Sequence, residues 1–214
     1  MEKNNRLNII ESLIDKNTDV LLDIGTDHGY LIKKAFQNNK INSALATDIN
    51  IKPLESAKKN LEGYNVDFIL SDGFSNVSKK FDCVVIAGMG ANLINSILAL
   101  DPGYENTVYI LQANNKVERL RKYLLDNNYK IIDEVIVLDN KYYYVIIKAI
   151  KGMMVLTEEE IYLGPILMKR SESIAYYQNK LDNYNYLINK KKAHREPFSK
   201  QISYLNNIID KLTK

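Results

Sequence analysis

Three short apolar runs each end in an acid. Asp23 follows Val20-Leu21-Leu22, Asp48 follows Ala44-Leu45-Ala46-Thr47, and Asp72 follows Phe68-Ile69-Leu70-Ser71. A fourth acid, Asp27, lies between Gly25 and Gly29 in the loop after the first run. Carboxylates at successive strand ends suit a ligand that carries positive charge and hydroxyl groups. The glycine spacing narrows this further. Gly-x-x-x-Gly is not the Gly-x-Gly-x-x-Gly of dinucleotide sites, and Asp27 at its middle would repel a pyrophosphate. Dinucleotide binding, and with it an NAD-dependent oxidoreductase, is disfavoured. Any one of these acids has a competing role as a helix cap. A matched series at successive strand ends is harder to explain by capping alone.

S-adenosylmethionine carries cationic sulfonium and ammonium groups and no phosphate, so Asp23 and Asp27 suit its charges. Asp48 is placed to accept from ribose hydroxyls, and Asp72-Gly73 to meet the adenine amino group. A helix beginning near His28 is expected to turn its free N–H groups toward the loop. Ala87-Gly88-Met89-Gly90 occupies the fourth strand end. It lacks the Asn/Asp-Pro-Pro-aromatic run with which methyltransferases of exocyclic amines grip their target, so an exocyclic amine is disfavoured. Its two glycines allow a flat base close to the backbone, while Met89 serves equally well as core filler. His28 reads more simply as a packing or capping residue than as a base or phosphate contact. Tyr30 either stacks on a base or lines the core. Asn114 and Asn115 either bind a base edge or cap a helix.

The elements that must position these residues follow from periodicity. Leu7, Ile10, Leu13 and Ile14 recur at helical spacing, predicting an N-terminal helix packed on the first strand. Strands are expected at 19–24, 43–48, 66–70, 81–87 and 107–111, with helices at 28–38, from Pro53 through Leu61, at 93–100 and at 117–125. Two runs, 131–138 and 142–150, flank Asp139-Asn140-Lys141 as a closing hairpin, which leaves Tyr142, Tyr143 and Tyr144 as strand residues. Alternation of strand and helix predicts a seven-stranded, mostly parallel sheet with an antiparallel edge strand, the Rossmann-like α/β architecture of class I methyltransferases. After a boundary near 152–157 the pattern changes. Leu163, Leu167, Arg170, Ile174, Tyr177, Leu181, Tyr184 and Ile188 step by four and three, as do Phe198, Ile202, Leu205, Ile209 and Leu212. These are heptad seams, which predict a C-terminal antiparallel coiled-coil helical hairpin with Pro197 opening its second helix. Two domains are therefore expected, 1–153 and 154–214.

Residues 1–156 hold 19 Lys and Arg against 19 Asp and Glu, and residues 157–214 hold 10 against 7. The net +3 thus lies in the tail, which favours a polyanionic partner there. The hairpin turn concentrates it in Lys190, Lys191, Lys192 and Arg195. A solvated loop is the ordinary reading of such a run, whereas its place at the tip of a lever favours salt-sensitive, sequence-blind phosphate contact. One cysteine and two histidines provide neither a disulfide framework nor a Cys/His zinc cluster. No apolar run approaches the ~20 residues of a membrane span, and Met1-Glu2-Lys3-Asn4-Asn5 has no signal character. A cytoplasmic protein without metal or membrane, a monomer or weak dimer, is expected.

Asp23-Ile24-Gly25-Thr26-Asp27-His28-Gly29-Tyr30-Leu31, with Ala87-Gly88-Met89-Gly90 and the helical tail, closely resembles the bacterial tRNA (adenine-22-N1)-methyltransferases of the TrmK family. The resemblance covers nearly the whole chain, with Gly29 where many members have Ala. It implies an enzyme that transfers a methyl group from S-adenosylmethionine to N1 of adenine 22 in tRNA. It further implies that Asp23, Gly25, Thr26, Asp48, Ile49, Asp72, Gly73, Ala87, Gly88 and Met89 hold the cofactor. Asp27, His28 and Tyr30 would then face the reaction, and Gly90, Asn114, Asn115, Lys190, Lys191, Lys192 and Arg195 would contact the tRNA. The alternatives are a small-molecule methyltransferase using the same cofactor and a non-catalytic RNA-binding protein that kept the fold.

Overall fold

The apolar runs assemble into one sheet of seven strands: β1 (Thr18–Ile24), β2 (Ile41–Asp48), β3 (Val66–Leu70), β4 (Cys83–Met89), β5 (Val108–Ala113), β6 (Tyr129–Asp139) and β7 (Tyr142–Lys151). The computed structural model describes residues 5–190 and 196–214. Strand order is β3-β2-β1-β4-β5-β7-β6, and the first five strands run parallel. Chain order reverses between β1 and β4, so the carboxyl ends of those strands diverge into a crevice. Helices α1 (Asn5–Ser12), α2 (Tyr30–Gln37), α3 (Ile51–Asn60), α4 (Ala91–Leu98) and α5 (Val117–Asp126) complete this unit. Two compact units divide the chain, Met1–Met154 and Val155–Lys214.

Three expectations for this unit need correction. The antiparallel strand is β7, second from the edge, and the edge strand is β6. The reason is burial: Val145, Ile146, Ile147 and Ala149 of β7 are covered, whereas Ile132 and Leu138 of β6 are substantially exposed. Helix α1 rests mainly against β6 and α2, not the first strand. It stops at Ser12, where Lys40 Nζ donates to the carbonyls of Glu11, Ser12 and Ile14. Helix α2 begins at Tyr30, two residues later than expected, because its cap residue Gly29 is left-handed at φ 71°.

The second unit has its own small core. Helix α6 (Glu158–Leu163) opens with a capping box between Thr157 and Glu160 and ends at Gly164-Pro165. That stop breaks the predicted first seam. Leu167 lies in a short 3₁₀ turn and Arg170 between two such turns, and the long helix α7 starts only at Ile174 and runs to Lys190. Helix α8 (Ser199–Thr213) follows a 3₁₀ turn that contains Pro197. The two helices pack on each other, with Tyr184 of α7 against Phe198 just ahead of α8. Tyr177, Ile202, Leu205 and Ile208 are buried, and the Tyr177 hydroxyl donates to the Leu163 carbonyl at 3.0 Å. Among the described residues no helix is long and apolar enough to cross a membrane, and no group of three or more His, Cys, Asp or Glu could hold a metal ion.

One buried ion pair ties α5 to the sheet. Arg121 Nε donates to Glu134 Oε1 of β6 at 2.7 Å, and both side chains are fully buried. Removing one partner strands a charge in the core. Glu134→Leu should therefore cost about 3–5 kcal/mol in chemical denaturation, and Arg121→Met added to it should restore most of the loss. Additive losses in the double variant would contradict this.

Candidate functional site

At the carboxyl ends of β1, β2, β4 and β5 lies a cleft of about 640 Å³. The loop after β1 lines it with Asp23, Gly25, Thr26, Asp27 and His28, and the loop after β2 with Asp48, Asn50 and Pro53. Ala87, Gly88 and Met89 come from β4, and Gln112 from β5. Arg6, Leu7 and Ile10 of α1 and Asp139 at the end of β6 add a wall.

The loop after β1 spends three of its amides internally. Gly25 N–H and Thr26 N–H both donate to the Thr47 carbonyl, at 2.8 and 2.9 Å, and Gly29 N–H donates to the Thr26 carbonyl at 2.9 Å. Those three amides are not available to phosphate oxygens. What lines the cleft instead is carboxylate. Asp23 is 5% exposed and accepts a 2.8 Å hydrogen bond from Thr26 Oγ1. Burial pushes its pKa up to about 6; the Thr26 hydrogen bond opposes this, and the Asp48 charge adds to it. A cation brought beside such a buried carboxyl would favour its ionised form. Gly25 has φ 79°, and a Cβ on it would lie 2.5 Å from Met89 Cε. Met89 therefore packs directly over this turn, whose left-handed backbone favours glycine.

The rest of the loop is pinned by α3. His28 Nδ1 is 2.7 Å from Ser56 Oγ, and Asn60 Nδ2 donates to the His28 carbonyl at 3.0 Å. His28 Nε2 lies 3.7 Å from Asp27 Oδ1, and the Asp27 side chain is 70% exposed. Tyr30 stacks on the His28 ring at 5.5 Å and is half exposed at the start of α2. The three side chains thus form one open rim of the cleft.

Other predicted residues are scattered more widely. Asp48 lines the cleft while its Oδ1 accepts from Asn50 N–H at 2.9 Å, ahead of α3. Ile49 projects into solvent beside it. Asp72 is exposed and Gly73 buried against Ile97; neither is among the residues that line the cleft. Gly90 is the cap residue of α4, with Asn115 Oδ1 3.6 Å from where its Cβ would be. The cap residue of α5 is Lys116, so neither Asn114 nor Asn115 fills that role. Asn114 hydrogen-bonds Gly88, Gln112 and Arg6. Lys191, Lys192, Arg195 and the side chain of Lys190 lie outside the described residues. Arg6, Asn50, Pro53, Gln112 and Asp139 were not anticipated. Arg6 had shown only a helical neighbourhood, and a single Gln at a strand end carries no motif.

A doubly wound sheet in this order, with an acid-lined first loop, defines a class I methyltransferase-type fold. Comparisons with known proteins agree and go further. The profile of the family described as TrmK, tRNA (adenine(22)-N(1))-methyltransferase, matches residues 21–214. M. capricolum TrmK, solved in complex with S-adenosyl-homocysteine, superposes with a TM-score of 0.83 at 33% identity, covering 96% of this chain and 97% of that one. A Streptococcus pneumoniae protein solved with S-adenosyl-L-methionine gives 0.87 at 27% identity, covering 97% and 100%. The tRNA (adenine(22)-N(1))-methyltransferase of Bacillus subtilis is 32% identical over 173 residues, 74% of this chain and 72% of that protein. The chain belongs to the TrmK family.

Asp23 makes a pH signature measurable. Its folded pKa of about 6 exceeds the ordinary 3.8, so the penalty for ionising it is absent below pH 4 and grows as pH rises to 6. Above pH 6 it levels at roughly 3 kcal/mol. Asp23→Asn keeps an acceptor for Thr26 and removes the charge. Its melting temperature relative to the parent should rise between pH 4 and 6.5 and then stay constant. Parallel curves for the two proteins would show that Asp23 titrates normally.

Proposed function

We propose that this chain transfers the methyl group of S-adenosylmethionine to N1 of adenine 22 in tRNA, with the acid-lined cleft as its active site. One observation carries the assignment of the cleft: the buried carboxyl of Asp23 lines it together with Asp27 and Asp48, which suits a cationic cofactor and not a phosphate-bearing one. The residues present fit that cofactor. Asp23 would hold its positive charge, Gly25 and Thr26 would let it lie close to the backbone, and Asp48 would accept from its ribose hydroxyls, with Ile49 beside them. Asp72 and Gly73 at the next strand end would meet the adenine, and Ala87, Gly88 and Met89 would form the opposite wall. When bound, the cofactor supplies an electrophilic methyl group.

Adenine N1 is unprotonated at neutral pH and already nucleophilic, so the protein's task is alignment more than proton removal. The base must leave its stack to present N1. Tyr30, exposed at the rim and braced by His28, offers a ring for it to stack on, opposite Gly90 and Met89. Asp27 accepts from the adenine N6 amino group as positive charge builds on the ring, which is electrostatic stabilisation. Its exposure and its left-handed backbone, φ 51°, leave the carboxylate free to meet the base. Lys190, Lys191, Lys192 and Arg195 contact tRNA phosphates as a substrate arm. We place the enzyme in the cytoplasm, where tRNA is modified, acting as a monomer or weak dimer.

Two outcomes test this. Asp27→Ala should lower kcat for tRNA methylation by about 100-fold while S-adenosyl-homocysteine affinity stays within about three-fold by calorimetry. Unchanged kcat would remove Asp27 from the mechanism. Replacing Lys190, Lys191, Lys192 and Arg195 together by Ala should raise the tRNA KM at least ~10-fold and flatten its salt dependence, with kcat nearly preserved. A KM and salt slope equal to the parent's would rule out the substrate arm.

A further inference from the structure

The ladder between β4 and β5 is broken at one residue. Ala87 pairs with Gln112 and Met89 with Ala113, so Gly88 is an extra residue with no partner on β5. It forms a β-bulge at φ 80°. Space alone does not demand glycine there, since a Cβ would meet nothing within 4 Å. Side chains hold the bulge instead. Gly88 N–H donates to Gln112 Oε1 at 3.1 Å, and the Gly88 carbonyl accepts from Asn114 Nδ2 at 2.6 Å. Gln112 Nε2 closes the ring by donating to Asn114 Oδ1 at 3.1 Å. Arg6 of α1 adds a fourth bond, Nη1 to Asn114 Oδ1 at 3.3 Å, while its guanidinium lies 4.7 Å over the Tyr144 ring.

Gln112 is fully buried, and both ends of its amide are used within this ring. A bulge re-aims the residue that follows it. Here that residue is Met89, which packs over Gly25 on the far side of the cleft. The ring therefore joins the two loops between which cofactor and base must meet.

We propose that Gln112 is a positioning residue for methyl transfer: it locks Asn114, and the pair hold the Gly88 bulge so that Met89 and the Gly88 backbone form a fixed floor beneath the target base. This rests on the function proposed above. Asn114 then acts through Gly88 and does not read the base edge, because both its polar atoms are engaged inside the ring. Arg6 couples the ring to α1, so the seating of that helix sets the shape of the floor.

The experiment compares Gln112→Ala, Gln112→Glu and Arg6→Met with the parent. It measures kcat, tRNA KM, S-adenosyl-homocysteine affinity, and amide exchange of the segment 83–90. Gln112→Ala should lower kcat by about 10-fold or more with KM and cofactor affinity within about three-fold, and should speed exchange at Gly88. Gln112→Glu keeps the acceptor for Gly88 but, when ionised, turns an oxygen toward Asn114 Oδ1. Protonated, the variant side chain donates again, and burial favours that form. Its kcat relative to the parent should therefore rise as pH falls from about 8.5 to 6.5, a rescue that a packing role would not produce. Arg6 sits at the surface, so Arg6→Met remains testable if Gln112→Ala does not fold. It should lower kcat about three-fold with an unchanged salt slope for tRNA. Parent-like kcat in both Gln112 variants, or a rise in KM alone, overturns the proposal. So does a reduced salt slope in Arg6→Met with kcat unchanged, which would make Arg6 a phosphate contact. A parent protein that does not methylate tRNA would sink the proposed function, whereas Gly88 exchange still judges the ring itself.

Discussion

A single desolvated carboxylate organises the cleft. Asp23 lies one residue before the end of β1, 5% exposed at the floor of the cleft, and accepts a hydrogen bond from the hydroxyl of Thr26. The two amides that follow most closely, Gly25 and Thr26 N–H, are turned to the Thr47 carbonyl of the next strand. The consequence is an electrostatic deficit of known sign at the switch point of the sheet, where such folds bind ligands. A phosphate would deepen that deficit and a cation relieves it. Fold and ligand class are linked at this one position.

The second feature of the site is how little of it is left to mobile side chains. The Asp27-His28 turn is held by Ser56 and Asn60 of α3, and the Gly88 bulge by Gln112 of β5 and Asn114 just after it. These two segments of the cleft wall are thus fixed from outside themselves. For a reaction whose nucleophile needs no activation, such preorganisation is the main contribution a protein can make.

Much of this was legible in the chain, and the exceptions share a cause. β1, β2 and β3 announce themselves as apolar runs closed by acids, and the Gly-x-x-x-Gly loop with Asp27 at its centre already argued against a dinucleotide. Local patterns were misread where a neighbour decides the outcome. The start of α2 is delayed by the left-handed Gly29, and the supposed continuous seam from Leu163 is cut at Gly164-Pro165. The antiparallel strand is drawn inside the sheet because β7 is the more apolar half of its hairpin. Arg6 and Gln112 escaped notice for a different reason. Arg6 is 108 residues from Asn114, and Gly88 is 24 from Gln112, so no spacing in one sequence connects them.

The most direct test of the central claim is the proton count on cofactor binding. S-adenosylmethionine is titrated into the protein in buffers of different ionisation enthalpy at pH 6 and pH 8. With Asp23 half protonated near pH 6, binding of the cation should release about half a proton there and almost none at pH 8. Binding without proton release at pH 6, or no binding at all, would contradict the account.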